Sequence, residues 1–281
     1  MANQIHWFPG HMNKAFHEVE EKIKIVDIIV ELLDARAPLS SINEQLEKTI
    51  GQKKKVIVLS KPDLADPIQT EKWKRYLQKD GNQVLVLNLT NPSSTKEIAN
   101  AINILGQEKW AKQKAKGMKP QPIRTMILGI PNVGKSSLIN RIAKRSAAGV
   151  QNKPGYTRGE QWIKVSNEFL LLDTPGILPM SYDNQKKAIN LALLGAIRED
   201  ILPKSDLVEA LLKILKEKYP DGLKERFGIE EISTQEDIIK TISSKRGVIT
   251  NKGEIDVAKC ENLLLKEFKD GLLGRMNLEW L

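Results

Sequence analysis

The sequence predicts an α/β fold, a mostly parallel sheet flanked by helices over residues 1–178, followed by a smaller all-α domain over residues 179–281. Three observations predict it. Short apolar runs alternate with stretches of helical periodicity through the first half, the pattern of parallel strands joined by crossover helices. Each run ends at a polar or glycine-bearing motif, as strands of open α/β sheets do where they meet a ligand. After about residue 178 only helical spacing remains.

The first run, residues 26–33, ends in Asp34-Ala35-Arg36-Ala37-Pro38 and reads as a buried parallel strand. Residues 55–59, 84–87 and 125–128 are the next three strands, and residues 41–50, 69–79, 94–114 and 135–145 are helical. Residues 159–173 read as an antiparallel hairpin turning at Ser166-Asn167, at the sheet edge. In the second domain, Asp206 three before Glu209 and Ser233 three before Glu236 mark helix starts. Val257, Cys260, Leu264 and Phe268 recur at helical spacing and face its core, with Gly271 just past the helix end.

With 281 residues and 41% hydrophobic content the chain buries a sizeable core. No apolar run approaches the roughly 20 residues that span a bilayer, and the first residues lack the charged and apolar regions of a secretion signal. The expectation is a cytoplasmic protein with no membrane partner. The one cysteine, Cys260, excludes an intrachain disulfide and is too little for a structural zinc site; its apolar neighbours make it a buried filler. The net charge of +9 is uneven. Residues 1–176 hold 27 Lys+Arg against 17 Asp+Glu, and the rest are near neutral. Lys109, Lys112, Lys114, Lys116, Lys119 and Arg124 form the densest stretch, which attracts polyanions such as RNA or is simply a solvated face.

The motifs decide between these. Gly129-Ile130-Pro131-Asn132-Val133-Gly134-Lys135-Ser136 fits GxxxxGK[ST] and lies between a strand and a helix, the context the motif requires. Its backbone N–H groups, with Val133, Gly134 and Ser137, cradle phosphates; Lys135 supplies a cation and Ser136 a magnesium ligand. Asp173-Thr174-Pro175-Gly176 ends a strand and fits DxxG, with Asp173 holding magnesium through water and the Gly176 amide meeting the terminal phosphate. Thr157, in Pro154-Gly155-Tyr156-Thr157-Arg158, resembles the threonine of the first switch, a second magnesium ligand.

Ser60-Lys61-Pro62-Asp63 fits NKxD, which distinguishes GTP-binding from other phosphate-loop proteins: the lysine stem, with Pro62 beside it, covers the base and Asp63 accepts hydrogen bonds from guanine. Ser60 replaces the usual asparagine. Asn88 and Leu89 stand in the place of the segment that backs up base recognition, an assignment that rests on location alone. Here the base motif precedes the phosphate loop, the reverse of an ordinary GTPase, so the α/β domain reads as a circularly permuted phosphate-loop GTPase domain.

Together with Trp7-Phe8-Pro9-Gly10-His11-Met12, Asp34-Ala35-Arg36-Ala37-Pro38 and Tyr219-Pro220-Asp221-Gly222-Leu223, continuing to Gly228, this order resembles the YlqF/RbgA family over essentially the whole chain. The resemblance implies a bacterial GTPase that helps assemble the large ribosomal subunit, with the subunit precursor and its rRNA as partners and no role for DNA. It also implies that His11 is the catalytic residue, since Ile177 follows DxxG where Ras-like enzymes carry a water-orienting glutamine; an RNA-contacting or packing role for His11 is the alternative. Asn132 resembles the asparagine of potassium-activated GTPases, which makes potassium a second activating ion beside magnesium. The DxxG loop runs through Ile177-Leu178-Pro179 into the helical domain, so GTP is expected to favour a ribosome-binding arrangement that hydrolysis loosens. Lys245, Arg246, Lys252, Lys259, Lys266, Lys269 and Arg275 are candidate RNA contacts there. The rival readings are a GTP-gated RNA-binding scaffold that hardly hydrolyses and an ATP-using phosphate-loop enzyme, against which Asp63 argues.

Overall fold

The computed structural model describes residues 10–78, 81–147, 162–166, 168–172, 178, 184–197, 201–231 and 234–281. Its centre is a six-stranded sheet formed by β1 (Ile28–Asp34), β2 (Lys54–Ser60), β3 (Gln83–Leu87), β4 (Ile123–Gly129), β5 (Trp162–Lys164) and β6 (Phe169–Leu172), in the order β3-β2-β1-β4-β6-β5. The first five in that order are parallel and β5 pairs antiparallel with β6 at the edge. Every residue of β1 is buried, as a central strand covered on both faces requires.

The alternation of β1 divides the core. Ile28, Val30 and Leu32 pack with Val56, Val58, Ile127, Ile98 and Ile102, the last two on α5 (Ser94–Ala115). Ile29 faces the other way, with Met126 and Leu128, under Phe16, Val19 and Ile23 of α1 (Gly10–Ile25) and Leu46 and Ile50 of α3 (Glu44–Ile50). Leu33, Ile57 and Leu59 lie under Trp73 and Leu77 of α4 (Pro67–Leu77). Burying this apolar area at about 25 cal/mol per Å² is the main favourable term holding helices to sheet.

One expected helix divides. Residues 41–50 were read as a single stretch, but Pro38–Ser41 (α2) ends at Ile42, which is extended, and Asn43 caps a new helix by accepting hydrogen bonds from Gln45 N and Leu46 N. After the phosphate loop comes α6 (Lys135–Ala147), and then α7 (Gln185–Leu193), α8 (Lys204–Lys218), α9 (Asp221–Phe227), α10 (Gln235–Arg246) and α11 (Val257–Lys269).

Three details differ from the sequence reading of this helical part. Helix α8 starts two residues before Asp206: the Pro203 carbonyl accepts from Asp206 N and Leu207 N, leaving Asp206 as a first-turn acid that complements the helix dipole. Helix α10 is capped by Thr234, whose Oγ1 accepts from Asp237 N; Ser233 lies outside the described residues. In α11, Cys260, Leu264 and Phe268 are buried as expected, but Val257 is exposed, because it is the first residue after the Asp256 cap and precedes the packed turn. Gly271 follows the helix with φ +76°, a conformation that favours glycine. A lone antiparallel bridge, Ile249 to Ile255, interrupts the helical pattern.

The chain finally returns to the sheet. Trp73 Nε1 donates to Glu279 O, and the Glu279 carboxylate accepts from Leu39 N and Ser40 N of α2 and from the Ser40 hydroxyl. No helix among the described residues is long and apolar enough to cross a membrane.

Candidate functional site

The parallel register brings the motifs to one edge. Asp34 pairs with Ser60, Ser60 with Leu87, and Leu32 with Gly129. Four strands thus end together, each releasing a loop: residues 34–38, 60–66, 88–92 and 129–134. This is the carboxyl edge of the sheet, on both sides of β1, where open α/β folds bind ligands.

The phosphate loop surrounds a concavity of about 470 Å³ lined by Ile130, Pro131, Asn132, Gly134, Lys135, Ser136 and Ser137. Asn132 (φ +61°) and Gly134 (φ +104°) are both left-handed, which turns the loop back on itself ahead of α6. Val133 is fully buried and anchors the loop from below. A side chain at Gly134 would place its Cβ 3.0 Å from Leu89 Cδ1, so Leu89 would have to give by a few tenths of an ångström in addition to the backbone strain. The N-terminus of α6 points its free N–H groups and positive dipole end at this concavity, which favours phosphate. Ser136 is exposed at the first turn of α6. The other two expected magnesium ligands, Thr157 and Asp173, and also Gly176, lie outside the described residues.

The base loop is more constrained than a surface turn. Lys61 has φ +53°, uncommon for a residue with a side chain, and Leu64 N donates to its carbonyl at 3.0 Å. Its ammonium lies 3.1 Å from the buried Asp34 carboxylate. Asp34 also receives Arg36 in a bidentate pair, with Nε to Oδ1 and Nη2 to Oδ2 both at 2.9 Å. Burial pushes the Asp34 carboxyl up, but the Arg36 guanidinium, its hydrogen bonds and the Lys61 ammonium outweigh this and hold it at about 2. Asp63 is exposed at the tip of the loop, where a carboxylate can meet a ligand.

Ser60, in the asparagine position of NKxD, is fully buried, and its hydroxyl donates to Leu33 O of β1 at 3.1 Å. It therefore ties β2 to β1 beneath the loop. Asn88 is also committed locally: its Oδ1 accepts from Thr90 N at 2.9 Å and from the Thr90 hydroxyl at 2.6 Å. Leu89 is buried against the phosphate loop, and Arg141 of α6 holds its carbonyl at 2.7 Å. The segment thus braces the phosphate loop, a role that its location in the sequence did not reveal.

His11 is the second residue of α1; its side chain is outside the described set. His17 is exposed and bonds Glu20 at 3.0 Å. Several helical-domain cations proposed for RNA have protein partners. Arg246 lies 5.4 Å over the Phe227 ring and bonds Glu267, Lys259 pairs with Asp256, and Arg275 is bound to backbone carbonyls.

A phosphate loop and a base loop at one sheet edge, with the base loop first in the chain, define the class of circularly permuted phosphate-loop GTPases. A family model described as 50S ribosome-binding GTPase matches residues 124–252, and ribosome biogenesis GTPase A of Bacillus cereus is 43% identical over 98% of this chain and 93% of its own length. The chain belongs to the family of ribosome biogenesis GTPase A, YlqF/RbgA. The Thermotoga maritima member is 28% identical over 97% of this chain and 93% of that protein. A GNP-bound structure of YlqF from T. maritima shares the fold with a TM-score of 0.68 at 25% identity, covering 95% of this chain and 98% of that one.

Proposed function

We propose that the protein hydrolyses GTP during maturation of the large ribosomal subunit, holding the pre-ribosomal particle and its rRNA in the GTP state and leaving on hydrolysis. The observation that carries this is the convergence, at the carboxyl edge of one sheet, of the loop bearing the exposed Asp63 and the Gly129–Ser136 loop. The names of the relatives supply the ribosomal context, and the bacterial relatives together with the expected lack of a membrane partner support action in the cytoplasm.

Within this reading Lys61, Pro62 and Asp63 hold the base, with Ser60 setting the loop from below. Val133, Gly134, Lys135 and Ser137 hold the phosphates, while Asn88 and Leu89 support the site from the side. Ser136, Thr157 and, through water, Asp173 would hold magnesium, which would supply positive charge against the phosphates, and Gly176 would meet the terminal phosphate. Asn132 would hold potassium.

His11 is the water-orienting residue. Helix α1 is connected to β1 by only Val26-Asp27, so it runs back alongside the strand. Its 16 residues extend about 24 Å at 1.5 Å each, close to the roughly 23 Å of the seven-residue β1. A helix of this length running back along the strand would bring the start of α1 to the level of the sheet edge that carries the phosphate loop, which supports this role for His11.

The test is GTP turnover with and without large ribosomal subunits, for the wild type and His11→Ala, with ATP in competition. Stimulation by the particle that is lost in the variant is expected. Absence of stimulation refutes the assembly reading in favour of a non-hydrolysing scaffold, unchanged turnover in the variant removes His11 from catalysis, and equal competition by ATP refutes guanine recognition.

A further inference from the structure

The loop that carries Asp63 is held from outside its own sheet. Arg275, in the tail after α11, donates from Nη2 to Pro62 O at 2.7 Å and from Nε to Ala65 O at 2.9 Å. The next residue, Met276, donates its N–H to Leu64 O at 3.1 Å. Asn277 accepts from Asp66 N at 2.9 Å and donates to Ala35 O at 2.9 Å. Tail bonds thus flank Asp63 on both sides, from Pro62 to Asp66. The tail is itself fixed to the helical part: the Tyr219 hydroxyl accepts from Asn277 N and donates to Asp66 Oδ2, both at 3.1 Å.

We propose that Arg275 is a positioning residue for guanine specificity, and that the docked tail makes base recognition depend on the helical domain. The proposal rests on the reading that Lys61 and Asp63 bind guanine. A carboxylate accepting two N–H groups from a base edge discriminates only when its backbone is held to within about 0.5 Å. Asp63 is exposed, so the carbonyls around it are points at which its backbone can be fixed. The guanidinium is suited to this, because its planar fork binds two carbonyls at once where an ammonium is a point donor. These tail bonds fall on the base loop, so the effect is expected on the base. By linkage, a base that stabilises the loop must stabilise tail docking equally. Occupancy of the guanine site is thereby communicated to the helices through the tail, a route separate from the DxxG loop.

The test compares dissociation constants for GDP and ADP in the full-length wild type, Arg275→Ala and Arg275→Lys. The side chain is exposed, so the variants fold, and thermal unfolding without nucleotide verifies this. Arg275→Ala is expected to weaken GDP about tenfold with ADP unchanged, from the loss of two charge-assisted hydrogen bonds to the loop, and Arg275→Lys to fall between. An unchanged GDP:ADP ratio in Arg275→Ala overturns the proposal. As a measurement on the wild type alone, amide exchange at Met276 is expected to slow with GDP and not with ADP; equal protection by both also overturns it. A wild type that fails to prefer GDP over ADP instead sinks the guanine reading beneath it, so the two failures are distinguishable.

Discussion

Asn132 Nδ2 donates a hydrogen bond of 2.6 Å to the carbonyl of Gly195, which ties the phosphate loop to the turn that ends α7. The bond orients the amide. With its nitrogen on Gly195, the Asn132 Oδ1 faces the other way and can serve a cation. Turnover in potassium is therefore expected to exceed that in sodium severalfold, and Asn132→Gly to abolish the difference. Glycine is the informative replacement because φ is +61° at this position, which alanine would adopt only at a cost of roughly 1 kcal/mol. Equal wild-type rates in the two salts would refute a potassium site.

The exposed Asp63 leads to a swap of base preference. A carboxylate accepts from the N1–H and 2-amino groups of guanine, whereas an asparagine presents one donor and one acceptor and suits xanthine, which carries an oxygen at position 2. Asp63→Asn is expected to weaken GDP by about 100-fold, from the loss of charge-assisted hydrogen bonds worth about 1.5–3 kcal/mol each, and to strengthen xanthosine diphosphate. Titration with both diphosphates measures this, and a parallel loss of both would mean that Asp63 does not read the base.

Gly222 is the place where α9 meets the tail. An added Cβ would lie 2.4 Å from the Leu273 carbonyl oxygen, a backbone atom that cannot turn aside. Gly222→Ala should destabilise the protein by about 1–3 kcal/mol, the range for overpacking a close contact. Urea unfolding at constant pH reads the change directly. A stability equal to wild type would show that the tail yields at this point without cost.

How far the sequence was legible follows from the reach of each signal. Strand β1 was found because five of its seven buried residues are apolar, interrupted only by Glu31 and ended by Asp34, and the phosphate loop because its spacing is local. The cap of α10 was misplaced by one residue because Ser233 and Thr234 are both capping types and only the Thr234–Asp237 bond selects between them. Arg275 read as an exposed cation for RNA, yet its partners Pro62 and Ala65 lie more than 200 residues away in the chain. No periodicity encodes such a contact. Asp34 and Arg36 were visible as a motif, but their pairing with Lys61, which makes them part of the base loop, became evident only from the register of β1 and β2.

That pairing sets a pH dependence. Asp34 has its carboxyl lowered from 3.8 to about 2, so the unfolded chain binds its proton more readily than the folded one. The stability it contributes is present above pH 3.8 and is lost as pH falls through 2; the shift is worth about 2 kcal/mol. Glu31, three residues earlier on the same strand, runs the other way: burial raises its carboxyl from 4.5 to about 7 against the attraction of Lys55, so its contribution is present below pH 4.5 and lost as pH rises through 7. The two windows do not overlap. Wild-type stability is therefore expected to fall at both ends, and Asp34→Asn to lack the acid limb while losing stability at pH 5, where the buried Arg36 no longer has its carboxylate. Denaturant unfolding from pH 2 to 8 checks both, and an acid limb of equal slope in Asp34→Asn would assign that limb to other carboxylates.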